Sequence, residues 1–143
     1  MNAADYMILE LPSREDNVAL ARVVVGAFAA RLDFTLAEIE EIKVAVSEAV
    51  TNAVVHGYRE SPGVVRIQAH VDDGRLVVSV SDRGVGIEDI AQAREPAFST
   101  VPERMGMGFA FMESFSDELS VESMPGQGTT VRMTKRPQHR TVG

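Results

Sequence analysis

The chain contains no cysteine, so neither a disulfide framework nor a thiolate metal site holds it together. It has no apolar run long enough to span a bilayer. The opening residues, Met1-Asn2-Ala3-Ala4-Asp5, lack the basic region before an apolar stretch that marks a signal peptide. A soluble cytoplasmic protein with no membrane partner is the expectation. Positive charge is also scarce: 14 Lys and Arg stand against 21 Asp and Glu, a formal charge of −7. Direct nucleic-acid binding is therefore not expected, because it needs cations that displace phosphate counterions. Two phosphate-binding signatures are missing too. No G-x-x-x-x-G-K-[ST] loop occurs, and no G-x-G-x-x-G opens a helix directly off a strand.

What is present suits one domain. The 143 residues are 45% apolar, enough for a sizeable core. No internal repeat, low-complexity stretch or linker interrupts them. Residues 1–143 read as a single domain with a polar tail, expected to fray from about 136.

Residues 5–11 read as a short apolar strand. Ser13-Arg14-Glu15-Asp16 resembles a capping box, with Ser13 as the cap of an Ala- and Val-rich helix reaching about Arg31. Thr35-Leu36-Ala37-Glu38 is a second capping box and opens a long helix. On that helix Ile39, Ile42, Val46, Ala49 and Ala53 recur at three- and four-residue steps and form one apolar face. Gly57 ends it where a left-handed residue is wanted.

The period then changes. Residues 64–71 and 76–80 alternate like strands joined by the hairpin signal Asp72-Asp73-Gly74. A short helix is predicted over 88–94, an irregular stretch over 96–107 and a helix over 108–116. Two closing strands, 119–124 and 129–134, flank Pro125-Gly126-Gln127-Gly128. This order predicts an α+β fold: a two-layer α/β sandwich with helices on one face of a mixed, largely antiparallel sheet.

Three segments carry chemistry. Glu48 and Asn52 are one helical turn apart, so their side chains share a face beside the apolar stripe. Amide and carboxylate oxygens there suit Mg²⁺, a hard ion that fills its remaining positions with water and phosphate. Glu48 can instead accept a proton from an attacking hydroxyl. A merely solvated Glu–Asn pair is the ordinary alternative. His56 has no second histidine at ligand spacing and reads as a helix-end residue.

Asp82-Arg83-Gly84-Val85-Gly86 puts a carboxylate at a strand end beside two glycines. An adenine amino group is a fitting donor to it, and glycines let backbone approach a flat base. An ordinary turn is the alternative. Third, Arg104-Met105-Gly106-Met107-Gly108 precedes a helix, where free N–H groups, the helix dipole and a guanidinium can face phosphate. Thr130, entering the last strand, can offer a hydroxyl to a base.

In this order, Glu48-xxx-Asn52, Asp82-x-Gly84-x-Gly86, Gly106-x-Gly108 and Gly128-Thr129-Thr130 resemble the ATP-binding superfamily of gyrase, the Hsp90 chaperone, histidine kinases and MutL. The run from Val46 to Tyr58 narrows the likeness to the anti-sigma serine kinases, in their sporulation branch. The similarity covers residues 6–135. It implies a Bergerat-type ATP-binding fold, with ATP and Mg²⁺ as ligands. It also implies Glu48 as general base, Asn52 as Mg²⁺ ligand, and Asp82 reading the adenine amino group in a pocket shaped by Gly84 and Gly86. Gly106, Met107 and Gly108 would cradle phosphate, Arg104 would meet the terminal phosphate from a lid over 96–107, and Thr130 would lie near the base. Arg22 would contact a partner.

The implied partners are a sigma factor of the sigma F type and an anti-anti-sigma protein phosphorylated on serine, with the kinase itself a homodimer. A general-stress kinase of the same branch and a non-catalytic ATP-dependent sigma-binding module are the alternatives. A two-component histidine kinase would need a phospho-accepting histidine on a helical hairpin, and His56, His70 and His139 do not supply one.

Overall fold

Two periodicities divide the chain between helix and sheet, and both are realised in the computed structural model, which describes residues 5–58, 62–87, 89–93 and 105–138. The elements are β1 (Tyr6–Pro12), α1 (Asn17–Ala29), α2 (Leu36–Thr51), a π-helical segment (Asn52–Gly57), β2 (Val64–Asp72), β3 (Arg75–Asp82), α3 (Ile90–Ala93), α4 (Met105–Ser114), β4 (Glu118–Met124) and β5 (Gly128–Lys135).

The five strands form one sheet in the order β1-β2-β3-β5-β4, which puts β3 at the centre. Each of the four pairings is antiparallel. The sheet, expected to be mixed and largely antiparallel, is thus antiparallel throughout among the described residues. Two pairings are hairpins, and the helical excursions deliver the other strands running opposite to their neighbours. At the β2–β3 turn Asp73 and Gly74 both have positive φ (53° and 75°), the twist that a tight two-residue hairpin needs.

Alternation sorts the strands into two faces. Val65, Ile67, Ala69, Leu76, Val78, Val80, Val131 and Met133 are buried beneath the helices. Against them pack Val25 and Phe28 of α1, Ile42, Val46, Ala49 and Val50 of α2, and Phe109 and Met112 of α4. Each such side chain larger than alanine contributes about 1.5–3 kcal/mol by leaving water. The opposite face carries no helix among the described residues and exposes Tyr6, Ile8 and Val64.

The capping box of α2 is formed. Thr35 Oγ1 accepts from the Glu38 N–H at 3.1 Å, and Glu38 Oε1 accepts from the Thr35 N–H at 2.9 Å. The second Glu38 oxygen accepts from the Gln138 N–H at 2.9 Å, tying the chain beyond β5 to the start of α2.

Ser13, expected to cap α1, does not. The N-cap of α1 is Asp16, without a side-chain cap bond, and the helix ends at Ala29, short of Arg31. Ser13 instead continues the β1–β2 ladder one step past Pro12 and Val64. Its N–H donates to the Gly63 carbonyl (2.9 Å) and its Oγ accepts from the Gly63 N–H (2.8 Å).

Two further differences concern glycines. The long helix does not end on a left-handed Gly57, which is absent from the positive-φ glycines. It widens into the π segment, where the Tyr58 N–H bonds the Ala53 carbonyl five residues back. Gly106 and Gly108 lie within α4 rather than ahead of it, since the helix already includes Met105. The stretch 94–104, with most of the expected lid and Arg104, lies outside the described residues, as does the tail from 139.

Candidate nucleotide site

α2 and the π segment that continues it deliver Glu48 and Asn52 to the helix–sheet interface beside α4. A side chain added at Gly108 would begin 3.4 Å from Glu48 Oε2 and 3.4 Å from both Asn52 Oδ1 and Nδ2. The carboxylate and the amide therefore converge on one point beside α4. Buried polar atoms are normally paired. Asn52 Nδ2 is buried with no hydrogen-bond partner among the described residues. An amide rotated by half a turn presents its oxygen in the same place.

Asp82 ends β3 on the helix-facing side, the side of Val78 and Val80. Its Oδ1 accepts from the Gly84 N–H at 2.9 Å. Burial raises its pKa. Hydrogen bonds from the backbone N–H groups of Gly84 and Thr129 pull the other way, and the net effect leaves the carboxyl above its ordinary value. A carboxylate partly withdrawn from solvent in this way accepts a ligand donor strongly.

Gly84 is required by contact. A side chain there would overlap the Gly57 carbonyl, which already accepts from the Val85 N–H at 2.9 Å. Gly57 has its own reason to lack one, since a Cβ would come within 2.9 Å of the Asp82 carboxylate. Gly86 adopts φ 78°, and its loop is pinned to the β4–β5 hairpin by Gly126 N–H donating to the Val85 carbonyl at 2.7 Å.

Asn52, Ala53, Asp82, Gly86, Ile87 and Thr129 line one cavity, floored by Val80, Phe109 and Val131. Apolar walls and a carboxylate suit a purine base, and at about 20 Å³ this cavity must widen to admit one. A more open cleft of about 880 Å³ lies on the helix-free side of Asp82, lined among others by Glu10, Arg66 and Arg83. It does not reach Asn52, which lines the smaller cavity and stands beside Glu48 at Gly108, so the chemistry belongs to the smaller cavity.

The structure brings together Glu48, Asn52, Asp82, Gly84, Gly86 and Gly108. It does not bring Thr130 with them. Thr130 faces the helix-free side, where its hydroxyl lies 3.1 Å from Ser81 Oγ. Thr129, its neighbour, lines the cavity instead. Strand parity explains this: Val131 and Met133 are core residues, and Thr129 shares their face. Gly106 and Met107 lie on α4, and Arg22 is exposed on α1, away from the cavity lining.

Among the described residues no three acidic or histidine side chains are grouped to hold a metal on their own. A single amide oxygen beside a carboxylate suits Mg²⁺, which takes its other ligands from phosphates and water. The residues present therefore fit that ion.

A sheet with helices on one face, and a carboxylate-ended cavity between the layers, define the class: a histidine kinase-like ATPase domain, the family whose description the chain matches over residues 11–135. Among solved structures, the RsbU and RsbW domains of Rv1364c from Mycobacterium tuberculosis share this fold. The TM-score is 0.68 at 24% identity, over 95% of this chain and 34% of that longer one. Within the class the chain belongs to the family of anti-sigma F factors. The relative from Thermoanaerobacter sp. strain X514 is 50% identical over 137 residues, spanning 94% of this chain and 96% of its own length. That from Geobacillus kaustophilus strain HTA426 is 52% identical over 132 residues, spanning 90% of each.

Proposed function

We propose that this chain binds ATP in the cavity between α2 and β3, silences a sigma factor of the sigma F type, and transfers the terminal phosphoryl group to a serine of an anti-anti-sigma protein. The observation that carries this reading is the convergence of Glu48 and a buried Asn52 amide, unpartnered among the described residues, beside a cavity that Asn52 and Asp82 both line. The names of the relatives supply the sigma-factor partner.

Asp82 accepts the base amino group, and Val80, Phe109 and Val131 shield the base from water. Asn52 offers its amide oxygen to Mg²⁺, which when bound would neutralise phosphate charge. Glu48 takes the proton of the serine hydroxyl as the phosphoryl group passes to that oxygen and ADP departs. Little covalent work falls to the protein, so placing the hydroxyl and the phosphate together supplies most of the acceleration. In this reading Arg104 and the segment 106–108 contact the phosphates, exposed Arg22 on α1 meets a partner, and the chain acts in the cytoplasm as a homodimer.

The test mixes the protein with labelled Mg-ATP and an anti-anti-sigma substrate. Glu48→Gln should bind ATP with affinity within a fewfold of the parent while serine phosphorylation falls by about 10²–10⁴. Undiminished phosphorylation in that variant would remove Glu48 as the base, and failure of the parent to bind ATP would remove the site.

A further inference from the structure

At the end of the sheet, on the helix-facing side, three polar residues stand in a row: Asp82 on β3, Thr129 on β5 and Ser123 on β4. The register pairs Asp82 with Thr129 and Thr129 with Ser123. Asp82 and Thr129 line the cavity, with Ser123 behind Thr129.

The proton inventory of Ser123 is closed. Its Oγ lies 2.9 Å from the Gly128 carbonyl, 2.7 Å from the Ile87 nitrogen and 2.8 Å from Thr129 Oγ1. A carbonyl only accepts, so the single Ser123 hydroxyl proton goes to Gly128. A backbone N–H only donates, so Ile87 occupies one Ser123 lone pair. The remaining lone pair can then be filled in one way only, by the hydroxyl proton of Thr129. That proton is drawn back toward β4, and the oxygen's lone pairs are left for the cavity. Ionised Asp82 is likewise an acceptor without a proton to give. Both polar side chains that the sheet end presents to the cavity therefore accept and do not donate.

We propose that Ser123 is a positioning residue for base selection: by fixing the Thr129 hydroxyl as an acceptor, it makes the pocket favour a purine with a 6-amino group over its 6-oxo counterpart. This rests on the ATP-site reading above. A 6-amino group carries two N–H donors for the two acceptors. A 6-oxo group sets lone pairs against lone pairs, and buried polar groups left unpaired are costly. Ser123 also holds the Ile87 end of the Gly84–Gly86 loop, and losing that role alone would weaken every nucleotide alike.

The test is calorimetric titration with ATP and with ITP, its 6-oxo counterpart, of the unaltered protein and of Ser123→Ala, Ser123→Thr and Thr129→Val. The unaltered protein should prefer ATP. In Ser123→Ala the Thr129 hydroxyl is free to turn and donate, so the ATP-to-ITP preference should fall about tenfold, the worth of one hydrogen bond. Ser123→Thr keeps the hydroxyl and should restore the preference, while Thr129→Val removes the polarised oxygen and should narrow it to a similar extent. Equal loss of both nucleotides in Ser123→Ala, or an unchanged ratio, overturns the proposal. Should Ser123→Ala not fold, an unchanged ratio in Thr129→Val overturns it equally. An unaltered protein that binds both nucleotides with one affinity refutes the selection by Ser123 alone, whereas one that binds neither refutes the ATP site itself.

Discussion

Asp82 shows how one side chain trades stability for binding. Its folded pKa lies above the ordinary value because burial outweighs two backbone donors. A carboxyl with a raised folded pKa favours the fold below its unfolded pKa, and that contribution is lost as pH rises through the folded pKa. Near neutral pH the ionised group therefore costs stability, and in the proposed reading it supplies the acceptor for a base. Asp82→Asn removes the charge and keeps an oxygen for the Gly84 N–H. The variant should melt at the same or a higher temperature than the parent without nucleotide, and should bind ATP about ten- to a hundredfold more weakly, the worth of a hydrogen bond to a charged group. Scanning calorimetry and titration check the two halves separately. The parent's ATP affinity should also decline on acidification, beginning above the ordinary carboxylate range, and the variant's should not.

At the scale of elements, what the sequence made legible was whatever periodicity and local capping decide. The five segments expected as strands became strands, and the Thr35 box capped α2 because both of its reciprocal bonds are local. Ser13 failed as a cap because a partner fifty residues away, Gly63, competed for its hydroxyl, which no local pattern reveals. Thr129 lines the cavity and Thr130 faces away from it, a difference that parity from Val131 already carries. The glycine motifs were visible, but their causes were tertiary: Gly57 and Gly84 are small because two distant segments touch there.

Gly108 is the sharpest of these cases, since inside α4 a glycine costs about 0.5–1 kcal/mol relative to alanine. A methyl there would begin at ordinary contact distance, 3.4 Å, from Glu48 and Asn52, so the fold has room for it. It would occupy the point on which both side chains converge. Gly108→Ala should therefore stabilise the nucleotide-free protein by up to about 1 kcal/mol and weaken Mg-ATP binding at least tenfold. Denaturant unfolding and nucleotide titration together distinguish this from a clash, which would lower both.

Across the whole molecule, the proposed site is built from residues around 48–52, 82–87, 108 and 129, so a bound nucleotide would bridge α2, α4 and the strands β3 and β5. None of these segments forms a site when the chain is unfolded. Glu38 adds a second long tie, joining the start of α2 to Gln138. Burial works to raise the Glu38 pKa, but donors from Thr35 and Gln138 and the charge of Lys135 outweigh it and hold the carboxyl below its ordinary value. That tie is present above the unfolded pKa and is lost only as pH falls through the folded one, so it is intact near neutrality. Ligand binding should then couple to unfolding of the domain as one unit. At a hundredfold excess over its dissociation constant, a ligand confined to the folded state adds about 2.7 kcal/mol. For a chain of this length that corresponds to a rise in Tm of roughly 10 °C. Calorimetry with Mg-ATP should show a single transition moving upward by that amount in the parent, and by only about 1–5 °C in Asp82→Asn at the same nucleotide concentration, because its weaker binding leaves the ligand at about one to ten times its dissociation constant. Two transitions, with only one responding to nucleotide, would mean that the site closes on part of the chain and not on the folded domain. An equal shift in both proteins would place the nucleotide elsewhere than against Asp82.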